Sequence, residues 1–227
     1  MNDYNEILRY MGHKGAADTQ LEALVTSCLE MLNPVSAPHH VTIQLPCLVA
    51  ENRVTIGELV VESPSLAAHL CNCTQVYIFA ATLGAAVDRL ITQRGKIDSV
   101  EALCLQACAT AQIEDYCNGI EQELSRETED QGLYLRPRFS PGYGDFDIAH
   151  QTDILRLLQA HKRIGLTETN AHMLVPLKSV TAVIGISAEM PIGSSVDCEQ
   201  DKCVPNKCID CNKTDCSFKL KEVLIDD

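Results

Sequence analysis

The chain has 227 residues, with 46% apolar and 22% charged side chains and a formal charge of −13. That length and composition exclude a chain disordered throughout and supply enough apolar surface for a substantial core. The acidic balance and the absence of Trp argue against a surface that binds nucleic acid, because a phosphate backbone is repelled and base stacking is poorly served.

No apolar run reaches the ~20 residues needed to span a bilayer. The opening MNDYNEILRYMGHK lacks the basic start and apolar core of a secretory signal. These features predict a cytoplasmic protein with no membrane partner.

Residues 3–11 predict a short helix, stopped by Gly12. Asp18 or Thr19 can cap a second, with Leu21, Leu24, Val25, Cys28 and Leu32 as its apolar stripe. Residues 41–45 (VTIQL) and 53–61 (RVTIGELVV) carry β-branched runs and predict strands. Ser63-Pro64 starts a short helix to about Cys71. Residues 76–84 (VYIFAATLG) predict a buried strand ending in a glycine turn. From Ser99 to about Leu124, apolar residues recur at three- and four-residue steps, the longest helix signal in the chain. Residues 98–130 hold nine acids and one base, and such a run reads as the solvated face of that helix. Residues 131–139 predict a strand and 154–161 a turn or two of helix. In 178–187, Val180, Ala182, Ile184 and Ile186 alternate, which predicts a strand with one buried face. Helices and strands mix without a regular βαβ rhythm, so the expected fold class is α+β with an antiparallel or mixed sheet.

Two segments carry candidate chemistry. In Arg136–Asp145 (RPRFSPGYGD), Gly142 and Gly144 permit tight turns and a close approach of backbone to a ligand. Pro137 and Pro141 stiffen the segment, Arg138 offers a planar fork for a carboxylate, and Tyr143 offers a ring and a hydroxyl. The loop reads either as a grip on a small molecule with a carboxylate and a flat or cationic part, or as a rigid connection with a surface arginine. The second segment, 166–179 (LTETNAHMLVPLKS), sets polar residues between apolar stretches. His172 within it reads as a hydrogen-bonded structural residue.

Twelve cysteines fall into two sets. Cys28, Cys47, Cys71, Cys73, Cys104, Cys108 and Cys117 lie mostly in apolar stretches, where a free thiol behaves as a small hydrophobe. Cys198, Cys203, Cys208, Cys211 and Cys216 crowd into a polar tail. Thiolates so closely spaced can converge on one metal. Cys203, Cys208, Cys211 and Cys216 form the preferred set, with Cys198 as an alternate ligand, and the spacing suits zinc or an iron–sulfur cluster. The predicted organisation is a body over residues 1–195 and a cysteine-rich metal-binding tail over 196–227.

RFSPGY at 138–143, followed by LTET, Met173, Pro176 and KSV at 178–180, resembles the reactivation domain of cobalamin-dependent methionine synthase, most closely the stand-alone bacterial type. EILRYMG at 6–12 and FAATLG at 79–84 match that type too, so the resemblance covers roughly residues 3–190. It implies an α+β domain with a curved, mostly antiparallel sheet and flanking helices. It also implies S-adenosylmethionine as ligand, its methyl group presented to a cobalamin held by a methionine synthase module or a related corrinoid protein. One electron is needed as well, so a flavodoxin or ferredoxin-type donor is implied as a further partner. Carried over by position, Arg138 would grip the methionine carboxylate, Ser140 would contribute backbone contacts, and Gly142 and Tyr143 would shape the adenosyl side. The aspartate–tryptophan element and the tyrosine pair of the fused members have no counterpart in this sequence. The competing reading is a metal-binding regulatory or scaffold module that kept the fold and lost the ligand.

Overall fold

A computed structural model describes residues 4–13 and 18–189. Its frame is a six-stranded sheet in the order β3-β2-β1-β4-β8-β5. The strands are β1 His39–Ala50, β2 Arg53–Ile56, β3 Leu59–Glu62, β4 Cys73–Thr82, β5 Tyr134–Leu135 and β8 Ser179–Ser187. Every pairing in it is antiparallel. A second, two-stranded ribbon joins β6 Thr167–Glu168 to β7 Leu174–Val175. The α+β architecture expected from the sequence is therefore present.

Helices cover both faces of the sheet, and the pleat decides which side chain goes where. Tyr77, Phe79 and Ala81 of β4, with Ala182, Ile184 and Ile186 of β8, face a core built by four helices. These are α1 Tyr4–Tyr10, α2 Thr19–Leu32, α4 Ala85–Gly95 and α5 Ser99–Glu129. The alternate residues Val76, Ile78 and Ala80, with Val183, face a second core. That one is closed by β2, β3, α3 Pro64–His69, α6 Gln151–Leu158 and α7 Ala160–Ile164. β8 is thus buried on both faces over residues 181–187, where alternation alone predicts one. Thr181, on the unexpected buried face, is accommodated because its hydroxyl donates to Gln151 Oε1 at 2.6 Å.

Local signals explain the element ends. Asp18 caps α2 by accepting from the Leu21 N–H at 2.8 Å, and Asp98 caps α5 through the Val100 and Glu101 N–H groups. The stretch read as one strand over 53–61 is two, because Gly57 turns the chain back with φ of +57° and pairs β2 with β3. The stretch 131–139 pairs regularly only at Tyr134 and Leu135. Pro137 supplies no N–H to continue the ladder, and contact with β8 resumes at a single bridge, Phe139 to Val183. Helix α4 has no counterpart among the expectations. Its buried stripe is only Val87 and Ile91.

Candidate functional site

The bridge at Phe139 sets the geometry of the loop that follows. Phe139 and Val183 exchange two backbone hydrogen bonds at 2.9 Å, so the side chains on either side of Phe139 alternate as on a strand. Phe139 turns toward the α3–α6 core, its ring 6.3 Å from that of Phe146 and 4.9 Å from that of His69. Arg138 turns the other way, toward α5, and is only 6% exposed.

A guanidinium so buried must be paired. Arg138 Nη2 donates to Glu114 Oε2 and to Asn118 Oδ1, each at 3.0 Å, and Nε lies 2.8 Å from Glu121 Oε1. Glu114, Asn118 and Glu121 sit at i, i+4 and i+7 on α5, one face of the helix. The remaining nitrogen, Nη1, is buried with no hydrogen-bond partner among the described residues. Glu114 is also the carboxylate that, after burial itself, pushes up the Tyr143 and Tyr10 hydroxyls; Arg138 partly offsets the effect at Tyr143. Arg138, Glu114 and Tyr143 therefore form one electrostatic unit, with Tyr10 of α1 at its border.

The loop itself is a tight turn. Gly142 N–H donates to Phe146 O at 2.7 Å, and Tyr143 N–H donates to Ser140 O at 3.1 Å. Gly142 has φ of +92° and Gly144 +55°, which favours glycine at both. At Gly144 the need is also steric, since a Cβ there would lie 2.8 Å from Ser65 Oγ. The neighbouring Asp145 ties the loop to the start of α3. It accepts from the Ser63 hydroxyl and from the Ser65 N–H at 3.1 Å, while Ser63 Oγ caps Leu66 N–H at 3.0 Å. The Ser63 bond first, and the Ser65 bonds with it, hold the Asp145 carboxyl below its ordinary range. Within this pinned frame Tyr143 stands 53% exposed, its ring 6.3 Å from Phe139.

The second segment folds as the β6–β7 ribbon. His172 has φ of +59° and its Nδ1 lies 3.0 Å from Glu168 Oε2, so it has the structural partner expected of it. Lys178 Nζ donates to Thr110 Oγ1 of α5 at 2.8 Å, and burial lowers its pKa. Met173, Val175 and Leu177 are exposed large apolar residues two apart in sequence, and Ile148, 3.9 Å from where a Gly142 Cβ would stand, is another.

Of the four predicted site residues, Arg138, Ser140, Gly142 and Tyr143 lie on one turn. Arg138 is taken up by α5 carboxylates rather than held open. Glu114 and Glu121 belong to the acidic run that reads as a solvated face, and the i, i+4, i+7 spacing around Asn118 is the signal that singles them out. Cys198, Cys203, Cys208, Cys211 and Cys216 lie outside the described residues. Among the described residues no group of three or more His, Cys, Asp or Glu side chains could hold a metal ion, and no helix is long and apolar enough to cross a membrane.

No family model and no curated protein matches this chain. Among solved structures, a crystal structure of the MetH reactivation domain bound to AdoHcy is similar, with a TM-score of 0.60 and 17% identity. The match covers 84% of this chain and 71% of that one. The chain shares the fold of that reactivation domain.

Proposed function

We propose that this protein binds S-adenosylmethionine at the 138–143 turn and serves as an accessory subunit in the reductive reactivation of cobalamin-dependent methionine synthase. The observation that carries the reading is the coincidence of this turn with the fold of a domain solved with AdoHcy. Arg138 Nη1, buried and without a partner among the described residues, supports it, because such a donor gains most from an incoming carboxylate. Glu114 and Glu121 hold the guanidinium in one orientation. Tyr143 presents an aromatic face that suits a sulfonium cation or an adenine ring.

In this reading cobalamin, bound by the partner module, is the methyl acceptor, and the protein is catalytic only in that complex. The exposed Tyr143, Ile148 and Met173 supply an apolar surface for the corrinoid partner, a methionine synthase module or a related protein. The electron comes from a flavodoxin or ferredoxin-type donor. The tail, 196–227, acts as a separate metal-binding segment through Cys203, Cys208, Cys211 and Cys216, with zinc or an iron–sulfur cluster as the occupant. Anaerobic purification with iron, sulfide and zinc analysis tests that part by itself.

The occupation of the Arg138 fork by Glu114, Asn118 and Glu121 favours a second reading, a metal-binding regulatory or scaffold module that no longer takes the ligand. Isothermal titration of the full chain with S-adenosylmethionine separates the two. Saturable binding that Tyr143→Ala weakens supports the first reading. Absence of binding by folded protein rejects it and leaves the second.

A further inference from the structure

Among the described cysteines, Cys71 is the one exposed to solvent. It lies in the turn after α3, just past the C-cap Leu70 and two residues before Cys73, the first residue of β4. Asn72 between them has φ of +62°, uncommon for a residue with a side chain. Several bonds hold the turn: Cys73 N–H donates to Leu70 O at 3.0 Å, Asn72 Nδ2 to Glu189 Oε2 at 2.7 Å, and Ser187 Oγ to Asn72 O at 3.4 Å. Alternate Cα atoms are never much more than ~7 Å apart, and a left-handed central residue shortens that span toward the ~5.5–6 Å most disulfides bridge.

One cation attends both cysteines. Arg136 Nη2 donates to the Cys71 carbonyl at 3.4 Å; burial pushes the Cys73 thiol up, and the Arg136 guanidinium opposes that shift. Cys73 Sγ lies over the bare backbone of Gly185, where a Cβ would approach it to 2.6 Å. The buried thiol is thus seated in a notch that only glycine leaves open, beside a positive charge. The buried Cys28, Cys104 and Cys108 have no comparable access to solvent.

We propose that Cys71 and Cys73 are a redox-active dithiol, which a low-molecular-weight disulfide closes into a Cys71–Cys73 bond. In the first step the Cys71 thiolate attacks one sulfur of the disulfide, forming a mixed disulfide and expelling one small thiolate. In the second, Cys73 gives up its proton and attacks Cys71 Sγ, expelling the second small thiolate. The protein loses two protons and two electrons, and the small disulfide becomes two thiols. Cys71 does the accessible chemistry and Cys73 resolves it, with Arg136 stabilising the Cys73 thiolate as it forms. The site is independent of the 138–143 turn.

The test treats reduced full-length protein with oxidised glutathione, blocks remaining thiols and digests with trypsin. The peptide from Val54 to Arg89 contains Cys71 and Cys73 and no other cysteine. The expected result is that this peptide becomes lighter by two hydrogens and resists alkylation. Cys71→Ser, at an exposed position, should abolish the change and leave Cys73 unmodified in folded protein. Cys73→Ser should stop at a glutathione adduct on Cys71; should that variant fail to fold, Cys73→Ala is the substitute. A wild-type protein that stops at the adduct overturns the proposal, as does one that does not react at this peptide. So does one in which Cys47 or a tail cysteine is the partner.

Discussion

Arg138 and Tyr143 stand five residues apart on one turn and live in opposite surroundings. The guanidinium is 6% exposed and bound by three side chains of α5, whereas the phenol ring is 53% exposed. Both residue types were candidates for ligand contact on the same grounds. Their placement separates two tasks: Arg138 fastens the turn to the helix and has one nitrogen to spare, and Tyr143 shows half of its surface to the outside. A residue that fastens should fail through stability, and one that meets a ligand should fail through affinity.

The largest expected effect follows from that division. Arg138→Ala should cost about 2–3 kcal/mol, below the ~3–5 kcal/mol of a fully buried pair because the partners retain some solvation. Glu114 and Glu121 side chains are 40% and 28% exposed. Chemical denaturation measures the loss. In a Glu114→Gln, Glu121→Gln background the same substitution should cost less, since no carboxylate is left unpaired. If S-adenosylmethionine affinity also recovers there, Arg138 serves only to fasten the turn.

Gly144→Ala comes next, at about 1–3 kcal/mol from a positive φ combined with a clash at Ser65. Ser65→Gly in the same chain should relieve the steric share. A thermal melt that leaves Gly144→Ala unchanged would mean the turn can detach from α3.

Tyr143→Ala should change stability by less than about 1 kcal/mol, yet lower S-adenosylmethionine affinity by roughly five- to thirtyfold through loss of about 1–2 kcal/mol of ring contact. A collapse of the melting temperature with affinity per folded molecule intact would reverse the comparison and make Tyr143 the fastener.

The smallest effect is pH-dependent. The Asp145 carboxyl is held below its ordinary value of 3.8 by its bonds to Ser63 and Ser65. Its stabilisation is therefore complete above that ordinary value and fades as pH falls through the lower folded value. Asp145→Asn should flatten this part of the acid limb of a stability profile. A variant whose stability below pH ~4 falls as steeply as wild type would assign that limb to other carboxylates.

Much of this contrast lay outside what the sequence could express. Stripes on α2 and α5, the Asp18 and Ser63 caps, the β-branched runs of β1 and β2 and the apolar run of β4 are legible because each is a local preference. Helix α4 was not, since Val87 and Ile91 alone make too thin a stripe to stand out. The split of β2 from β3 hinged on Gly57, a signal present in the sequence and overridden by the β-branched residues around it. The second buried face of β8 depends on a layer supplied by α3 and α6, which no strand announces. At the candidate site the turn was legible from its glycines and prolines. What Arg138 holds was not, because its partners are 17–24 residues earlier in the chain and carry the charges of an ordinary solvated helix.

The sheet described above has a further consequence, for how copies of this protein behave when crowded. Among the described residues its terminal strands are β3, of four residues, and β5, of two, while of the long strands only β4 is paired along both edges: β1 pairs with β4 over 39–46 and with β2 over 47–50. One edge ends at Glu62 with Pro64 two residues on, and the other is broken by Pro137. A foreign strand therefore finds little ladder at either end of the sheet and more along the outer edge of β1 over 39–45, before Pro46. Association of copies in concentrated solution should therefore begin at that stretch of β1 and not at β3 or β5.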